Sequence, residues 1–224
     1  MKIRHGLFIL TATFSQLSHA NEKIGISDFQ SNTLSTWTSK SFSGDTDYAI
    51  INENGDAILK AESHASASGI AKEQVIDLKK TPYINWSWKI DQRLDGLNET
   101  TKDGDDYAAR LYIVKDGGWR LWNTLALNYV WSSNQVAQST WDNAFVSDNA
   151  KMIAIQGKAA STETWYTEKR NVYTDMIARF GDKGSDKKNE KAYRYIDAVA
   201  IMTDTDNSKL SATAYYKDIY FSAE

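Results

Sequence analysis

Asp106-Tyr107-Ala108-Ala109-Arg110-Leu111-Tyr112-Ile113 is the stretch that decides the fold, and the turn Asp116-Gly117-Gly118 leads from it into a second segment, 119–131. Side chains alternate between the two faces of a β-strand. Alternation directs one set toward a core: Tyr107, Ala109, Leu111 and Ile113. It directs the other set to the opposite face: Asp106, Ala108, Arg110 and Tyr112. The two segments predict a β-hairpin with one polar face.

Similar short segments, separated by Gly, Asp and Asn, recur along the chain and are typical of an all-β domain. Further strands are predicted at 47–51, 57–61, 83–91, 151–156, 163–172, 195–203 and 212–222. Apolar residues at helical spacing predict one short helix over 173–180, ended by Gly181. The polar segment 184–191 is expected to be an exposed, mobile loop. The predicted fold is an antiparallel jelly-roll β-sandwich with that one helix.

The first 20 residues have the pattern of a secretory signal peptide. Lys2 and Arg4 precede an apolar run over 6–14, and Ser18-His19-Ala20 has the small-x-small form of a cleavage site. The apolar run is too short to span a bilayer. We therefore expect a signal peptide at 1–20, a single jelly-roll domain at 21–224, and a periplasmic or secreted protein.

Composition after Ala20 excludes several kinds of chemistry. There is one histidine, His64, and no cysteine, which excludes cysteine nucleophiles, thiolate zinc sites and multi-histidine metal centres. His64 lies in a polar segment, and the chain has no Gly-x-Ser-x-Gly motif, so we expect an ordinary surface residue. With 24 basic against 29 acidic residues and no basic block, no nucleic-acid partner is expected. After Ala20 the sequence has no apolar run of about 18 residues, so no membrane insertion is expected.

Eight Trp, twelve Tyr and seven Phe supply many aromatic rings. Such rings suit either a sandwich core or a surface on which sugars stack. Trp86 and Trp88 share a strand face opposite a polar one, so they are predicted to point inward. Trp122 shares a face with Arg120 near a tight turn, which makes it a candidate for an exposed stacking platform.

The polar face of the first hairpin strand is the main candidate for a ligand site. Asp106 and Arg110 can pair, which would orient the guanidinium toward hydroxyl or carboxylate groups. A purely structural ion pair on the sheet face is the favoured interpretation of this pair alone. Tyr112 lies on the same face. Asn128, in the second segment, either bonds a sugar hydroxyl or satisfies a neighbouring backbone group.

Arg170 is a further candidate, with Asp175 or Glu168 as its partner. A structural bridge is the favoured interpretation over an acid–base pair. The candidate ligand-binding set is Asp106, Arg110, Tyr112, Trp122, Asn128 and Arg170.

The segment Asp204-Thr205-Asp206-Asn207 is rich in oxygen ligands. It resembles half of a calcium-binding loop but lacks the Gly and the terminal Glu of an EF-hand. An ordinary turn is the default interpretation, and a structural calcium ion held by Asp204 and Asp206 is the alternative. No other cofactor is expected.

Six motifs together resemble the bacterial domain-of-unknown-function 3047 family. They run over 86–90, 105–110, 127–131, 170–175, 180–181 and 201–207, and the resemblance extends from about Asp28 to Phe221. It implies an exported bacterial protein and brings no catalytic residues. More distantly, Asp28-Phe29 with Trp37 and the closing segment 216–221 are similar to the first and last strands of galactose-binding-like jelly rolls, a similarity that does not fix a function.

These observations favour an exported, non-catalytic domain that binds a glycan or a similar polar ligand. One alternative is a polysaccharide lyase or hydrolase that works without histidine, with Tyr112 and Arg110, or Tyr166 and Arg170, as its reactive pair. A third is a structural periplasmic protein whose charged residues brace the sheets.

Overall fold

The computed structural model of the protein describes residues 22–118 and 124–224. Within these ranges the chain forms thirteen strands and two α-helices. The helices are α1 (Val172–Phe180) and α2 (Asp186–Tyr193). The strands are β1 (Lys23–Gly25), β2 (Thr38–Ser43), β3 (Asp47–Glu53), β4 (Asp56–His64), β5 (Ala67–Asp77), β6 (Tyr83–Ile90), β7 (Tyr107–Lys115), β8 (Leu125–Trp131), β9 (Thr140–Asn143), β10 (Ser147–Gln156), β11 (Tyr166–Asn171), β12 (Tyr195–Asp204) and β13 (Ser211–Ser222).

The strands form two sheets that pack face to face as a jelly-roll β-sandwich, which confirms the predicted fold class. The six-stranded sheet has the order β11-β6-β13-β4-β3, with β1 added beside β13. The seven-stranded sheet has the order β2-β5-β12-β7-β8-β10-β9. In the described part of the chain, β8 and β10 are the one parallel pair among antiparallel neighbours. Neither helix in these ranges is long and apolar enough to cross a bilayer.

Aromatic side chains fill the space between the sheets. Trp86 and Trp88 on β6 are fully buried, as predicted. The ring of Trp86 stacks on Tyr129 of the opposite sheet at 5.4 Å, and Trp88 packs against Trp131 at 5.8 Å. Large rings from both sheets therefore bury the apolar area that a cysteine-free sandwich depends on.

The predicted hairpin is confirmed as β7 and β8, and the predicted helix as α1. The expectation of a mobile loop over 184–191 is wrong, because helix α2 lies there. The Oγ of Ser185 accepts a hydrogen bond from the backbone N–H of Lys188 and caps this helix. Buried Tyr193 anchors its other end by donating to the carbonyls of Phe180 and Gly181.

A β-bulge between β7 and β12 changes which residues share a face. Arg110 pairs with Met202, and Tyr107 pairs with Asp204. The two pairs are three positions apart on β7 but only two apart on β12, so β7 carries one extra residue. Tyr107 therefore lies on the same outer face as Arg110. It is buried as predicted, but in a small cluster with Val130 and Met152 and not in the main core between the sheets. Ala108, predicted to lie beside Arg110, instead packs in the core.

The bulge is held by hydroxyl groups from the neighbouring strands. The Oη of Tyr216, on β13 of the other sheet, accepts from the N–H of Arg110 at 3.3 Å and donates to the carbonyl of Met202 at 3.1 Å. The Oγ1 of Thr203 donates to the carbonyl of Ala108 at 2.8 Å. Backbone groups that the bulge removes from the ladder thus keep partners.

The loop before β7 is packed around buried Glu99. Its carboxylate accepts hydrogen bonds from Ser132 Oγ, from Ser133 N–H and from Asn134 Nδ2. Burial raises the pKa of this carboxyl, and the hydrogen bonds oppose that rise. The loop ends at Gly104, whose Cα lies so close to the Asn98 backbone that a Cβ would meet its carbonyl oxygen at 2.4 Å.

We expect Gly104→Ala to destabilise the protein by about 1–3 kcal/mol, because the added methyl group meets backbone atoms that cannot move aside. Gly25→Ala is the matched control, since a Cβ on Gly25 would have no atom within 4 Å. Urea denaturation of both variants measures the difference. Equal transition midpoints would contradict the packing described for this loop.

Candidate functional site

A pocket of about 490 Å³ opens on the outer face of the seven-stranded sheet, on the side away from the core. We call it the outer pocket. Its polar lining comprises Ser43, Asp105, Arg110, Tyr112, Asn128, Asn143, Asp204, Asp206 and Asn207. Its apolar lining comprises Phe42, Ala67, Ala126, Phe145, Val146, Ala150 and Met202.

Arg110 is the central charged group of the outer pocket and is 3% exposed. Its Nη2 donates to the Asp204 carboxylate and to the Asp105 carbonyl oxygen, and its Nη1 lies 3.7 Å from the Asp105 carboxylate. The guanidinium also lies 4.1 Å from the centre of the Tyr107 ring. The expected pairing of Arg110 with Asp106 is therefore wrong, because the guanidinium pairs with Asp204 and Asp105.

Asp106 lies behind the outer pocket and is fully buried. Its Oδ1 accepts from the N–H of Asn207 at 3.2 Å, and its Oδ2 accepts from the N–H of Ser208 at 2.6 Å. The residue lies before the first residue of β7, so strand alternation does not fix its direction. Asp106 thus anchors the 204–208 turn and is absent from the pocket lining.

Tyr112 and Asn128 face each other across β7 and β8, and both line the outer pocket. The Oη of Tyr112 accepts from Arg110 Nη1 at 3.0 Å and donates to the Met202 sulfur at 3.4 Å. Burial raises the pKa of Tyr112 to about 12, with Arg110 opposing the rise. A general base works best when its pKa lies near the working pH, so Tyr112 is poorly suited to that role.

Three buried polar atoms of the outer pocket's lining residues have no hydrogen-bond partner in the described part of the chain. They are Asp105 Oδ1, Arg110 Nε and Asn128 Oδ1. The amide of Asn128 is otherwise held by donating from its Nδ2 to the carbonyl of Ala126 at 3.4 Å. Leaving a buried polar atom unpaired costs about 1–3 kcal/mol. The outer pocket gathers three such atoms, whereas those of Thr81, Trp86, Trp131 and Trp141 lie outside it.

The carboxylates of Asp106, Asp204 and Asp206 bring one oxygen each within 4.8 Å of one another. The turn therefore does gather the oxygen ligands that a calcium ion would need. All three already accept hydrogen bonds: Asp106 from two backbone N–H groups, Asp204 from Arg110 and from the N–H of Tyr107, and Asp206 from the Asn207 side chain at 3.4 Å. A cation would have to compete with these donors, and the structural calcium remains an expectation only.

Arg170 does not belong to the outer pocket. Its Nε and Nη2 form a bidentate pair with Asp175 at 2.9 and 2.6 Å, and Tyr129 Oη donates to the same carboxylate at 2.8 Å. This is the structural bridge that the sequence favoured, placed between β11 and the start of α1. Trp122 lies outside the described residues.

Sequence reasoning missed the apolar rim of the outer pocket. Phe42, Phe145 and Val146 are 61%, 53% and 55% exposed, which is unusual for such large apolar side chains. Lys40 and Lys102 lie against the rings of Phe42 and Phe145. A signal was present, since Phe42 is the one apolar residue in the otherwise polar strand β2.

We expect Arg110→Met to cost about 3–5 kcal/mol of unfolding free energy, because it leaves buried Asp204 without its counter-charge. The surface pair of Lys60 with Glu62 provides a control, since Lys60→Met should cost less than about 1 kcal/mol. Adding Asp204→Asn to Arg110→Met should recover part of the loss. Chemical denaturation of the three variants tests whether this contact braces the sheet.

The loss of unfolding free energy in Arg110→Met should become smaller as the pH is lowered. Burial raises the pKa of Asp204 above its ordinary value of 3.8, and Arg110 is the main group that opposes the rise. When a carboxyl has a higher pKa in the folded than in the unfolded state, the free energy of unfolding of the protein falls as the pH rises above the pKa of the unfolded state. Denaturation midpoints of wild type and variant between pH 4 and pH 8 measure this, and a deficit independent of pH would contradict it.

We expect Arg170→Met to lower stability by about 1–3 kcal/mol, between the values for buried and exposed pairs, because Arg170 is 27% exposed and Asp175 is 11% exposed. It should leave the outer pocket unchanged. Loss of ligand binding at unchanged stability would show that the bridge has a role other than bracing.

Comparison with solved structures finds proteins of several kinds, and the three described next have TM-scores below 0.5. The family 11 carbohydrate-binding module from Clostridium thermocellum, in complex with a β-1,3-1,4-mixed-linked tetrasaccharide, has a TM-score of 0.45 and 12% identity over 91% of this chain and 96% of that chain. The xyloglucanase domain of NopAA from Sinorhizobium fredii, in complex with cellobiose, has a TM-score of 0.44 and 10% identity over 83% and 92%. The K1 cleaved adhesin domain of Lys-gingipain from Porphyromonas gingivalis has a TM-score of 0.40 and 12% identity over 92% and 99%. At this similarity, none of the three indicates what this chain binds.

Sequence comparison with curated proteins gives no match. A family pattern does match, over residues 35–220, and it covers β2 to most of β13, including every residue that lines the outer pocket. Its description reads "protein of unknown function (DUF3047)". The resemblance that the motifs indicated is therefore confirmed, and the chain belongs to the DUF3047 family.

Proposed function

We propose that this protein is an exported, non-catalytic domain that binds a glycan, or a similar polar ligand, in the outer pocket. The observation that carries the proposal is the set of three unpartnered buried atoms, on Asp105, Arg110 and Asn128, beneath a rim of exposed apolar side chains. A ligand that fits must offer apolar surface to the rim and hydrogen-bonding groups to the floor. The pocket's volume lies in the range typical of small-molecule sites.

Sugars combine both properties. Their C–H faces pack against aromatic and aliphatic side chains, and their hydroxyl groups donate and accept hydrogen bonds at the ring edges. Phe42, Phe145 and Val146 offer the apolar contacts, while Asn128 and Asp105 offer acceptors and Arg110 Nε offers a donor. The rim and floor of the outer pocket therefore match the two kinds of surface on a sugar ring.

The electrostatics of the outer pocket favour binding over catalysis. A lyase would need a tyrosine of lowered pKa and an arginine free to neutralise a uronate, but the pKa of Tyr112 is raised and Arg110 is paired with Asp204. A hydrolase would need two carboxylates flanking the scissile bond. Asp105 and Asp204 both face the Arg110 guanidinium instead.

Export is proposed on the signal-peptide pattern of residues 1–20. Expression of the full gene product followed by mass measurement of the mature protein tests it, with cleavage after Ala20 expected. Recovery of the uncleaved chain from the cytoplasm would contradict export without bearing on the outer pocket.

We expect Asn128→Ala and Phe145→Ala each to weaken glycan binding about tenfold or more, because each loses about 1.4 kcal/mol or more of contact energy. Calorimetric titration with hits from a glycan array measures the effect. Trp165→Ala is the matched control, since this partly exposed aromatic residue packs beside Lys89 and Lys217 of the other sheet.

Two results would count against the proposal. The first is an array without binding to any polysaccharide. The second is loss of binding in Trp165→Ala with full binding in Asn128→Ala, which would place the glycan on the six-stranded sheet.

A further inference from the structure

Resting on the proposed function, we infer that the outer pocket binds non-acidic, hydroxyl-rich sugars and discriminates against uronates and other sugars that carry a carboxylate. This inference rests on the position of Arg110, whose guanidinium lies among several carboxylates and already donates hydrogen bonds within the protein. Arginine on a polar sheet face would ordinarily favour an acidic ligand. The contacts of Arg110 reverse that expectation.

The fork of Arg110 has no free pair of N–H groups. A carboxylate ligand is held best by two parallel N–H donors of one guanidinium. Here both N–H groups of Nη2 are used, by Asp204 and by the Asp105 carbonyl, while Nη1 donates one hydrogen bond to Tyr112 and lies 3.7 Å from the Asp105 carboxylate. The remaining Nε can make one hydrogen bond, which is too little for bidentate recognition of a uronate.

The charges around the outer pocket repel an anion. Asp105, Asp204 and Asp206 line it against the single cation Arg110, and Asp106 lies directly behind. Lys40 and Lys102 at the rim are the opposing charges, but both are exposed on the rings of Phe42 and Phe145, where salt and water screen them. Burial raises the pKa of Asp105 and Asp204, and Arg110 opposes that rise and favours their charged forms. The field of these buried carboxylates is screened less than that of the exposed lysines.

The unpartnered atoms also favour hydroxyl groups over a carboxylate. Asp105 Oδ1 and Asn128 Oδ1 need donors, whereas Arg110 Nε needs an acceptor. A sugar diol supplies both, because each hydroxyl donates one hydrogen bond and accepts others. An ionised carboxylate only accepts, so where it takes the place of a sugar hydroxyl it cannot donate to either acceptor, and an acceptor left unpaired costs about 1–3 kcal/mol.

The test is calorimetric titration of the full mature chain with matched pairs of oligosaccharides, such as oligomannose against oligomannuronate and oligoglucose against oligoglucuronate, at low and physiological salt. We expect the neutral member of a bound pair to bind at least tenfold more tightly than the acidic member. Raising the salt concentration should reduce the ratio of the two affinities, because charge repulsion of the acidic member contributes to it and salt screens that repulsion.

Asp206→Asn tests the charge directly, because this half-buried carboxylate makes few contacts and its loss should not disturb the fold. The ratio should narrow about threefold in this variant. Asp218→Asn is the control, since exposed Asp218 has a φ of 54° that Asn tolerates and lies on the other sheet. It should leave the ratio unchanged.

The outcomes separate the two proposals. If neither member of any pair binds, glycan binding itself is wrong. If acidic members bind as tightly as neutral ones, or if Asp206→Asn leaves the ratio unchanged, glycan binding stands and the selectivity inferred here is overturned.

Discussion

The buried contact between Arg110 and Asp204 is the interaction on which the outer face of this sandwich depends. It joins the two central strands β7 and β12 on the side away from the main core, next to a small buried cluster of Tyr107, Val130 and Met152. Taking both charges out of water is costly, and the contact is tolerated because Asp105, Tyr112 and Tyr107 complete the surroundings of the guanidinium. The same contact determines the charge of the outer pocket.

The bulge between β7 and β12 decides which side chains surround this contact. In a regular ladder Tyr107 would face the core, but the extra residue turns it to the outer face, against the guanidinium of Arg110. Tyr216, from the opposite sheet, supplies the hydroxyl that satisfies the bulged backbone. A core residue of one sheet thus fixes the geometry of a ligand pocket on the far face of the other, which links the packing of the sandwich to the proposed binding site.

Arg110 and Arg170 show how the same residue type serves two purposes in one fold. The Arg170 bridge to Asp175 is geometrically complete, with two parallel hydrogen bonds and the hydroxyl of Tyr129 on the same carboxylate. The group around Arg110 leaves three buried atoms of the pocket lining without partners. This difference in completeness, rather than the residue types, separates the proposed site from the brace.

Local pattern alone determined the sandwich, the β7–β8 hairpin, helix α1, the inward tryptophans and the family, because alternation and turn residues act over a few neighbouring positions. Helix α2 was not predicted from its polar sequence, because capping by Ser185 and the hydrogen bonds of Tyr193 stabilise it. The site was only partly predictable: Arg110, Tyr112 and Asn128 do meet, since strand pairing follows from the hairpin. Three features could not be predicted in this way. Asp204 meets Arg110 because β7 pairs with β12, which is distant in sequence. The position of Asp106 behind the pocket and the apolar rim depend on loops that are also distant in sequence. Only the tertiary structure decided these, because a one-residue shift in register reverses which face a side chain occupies.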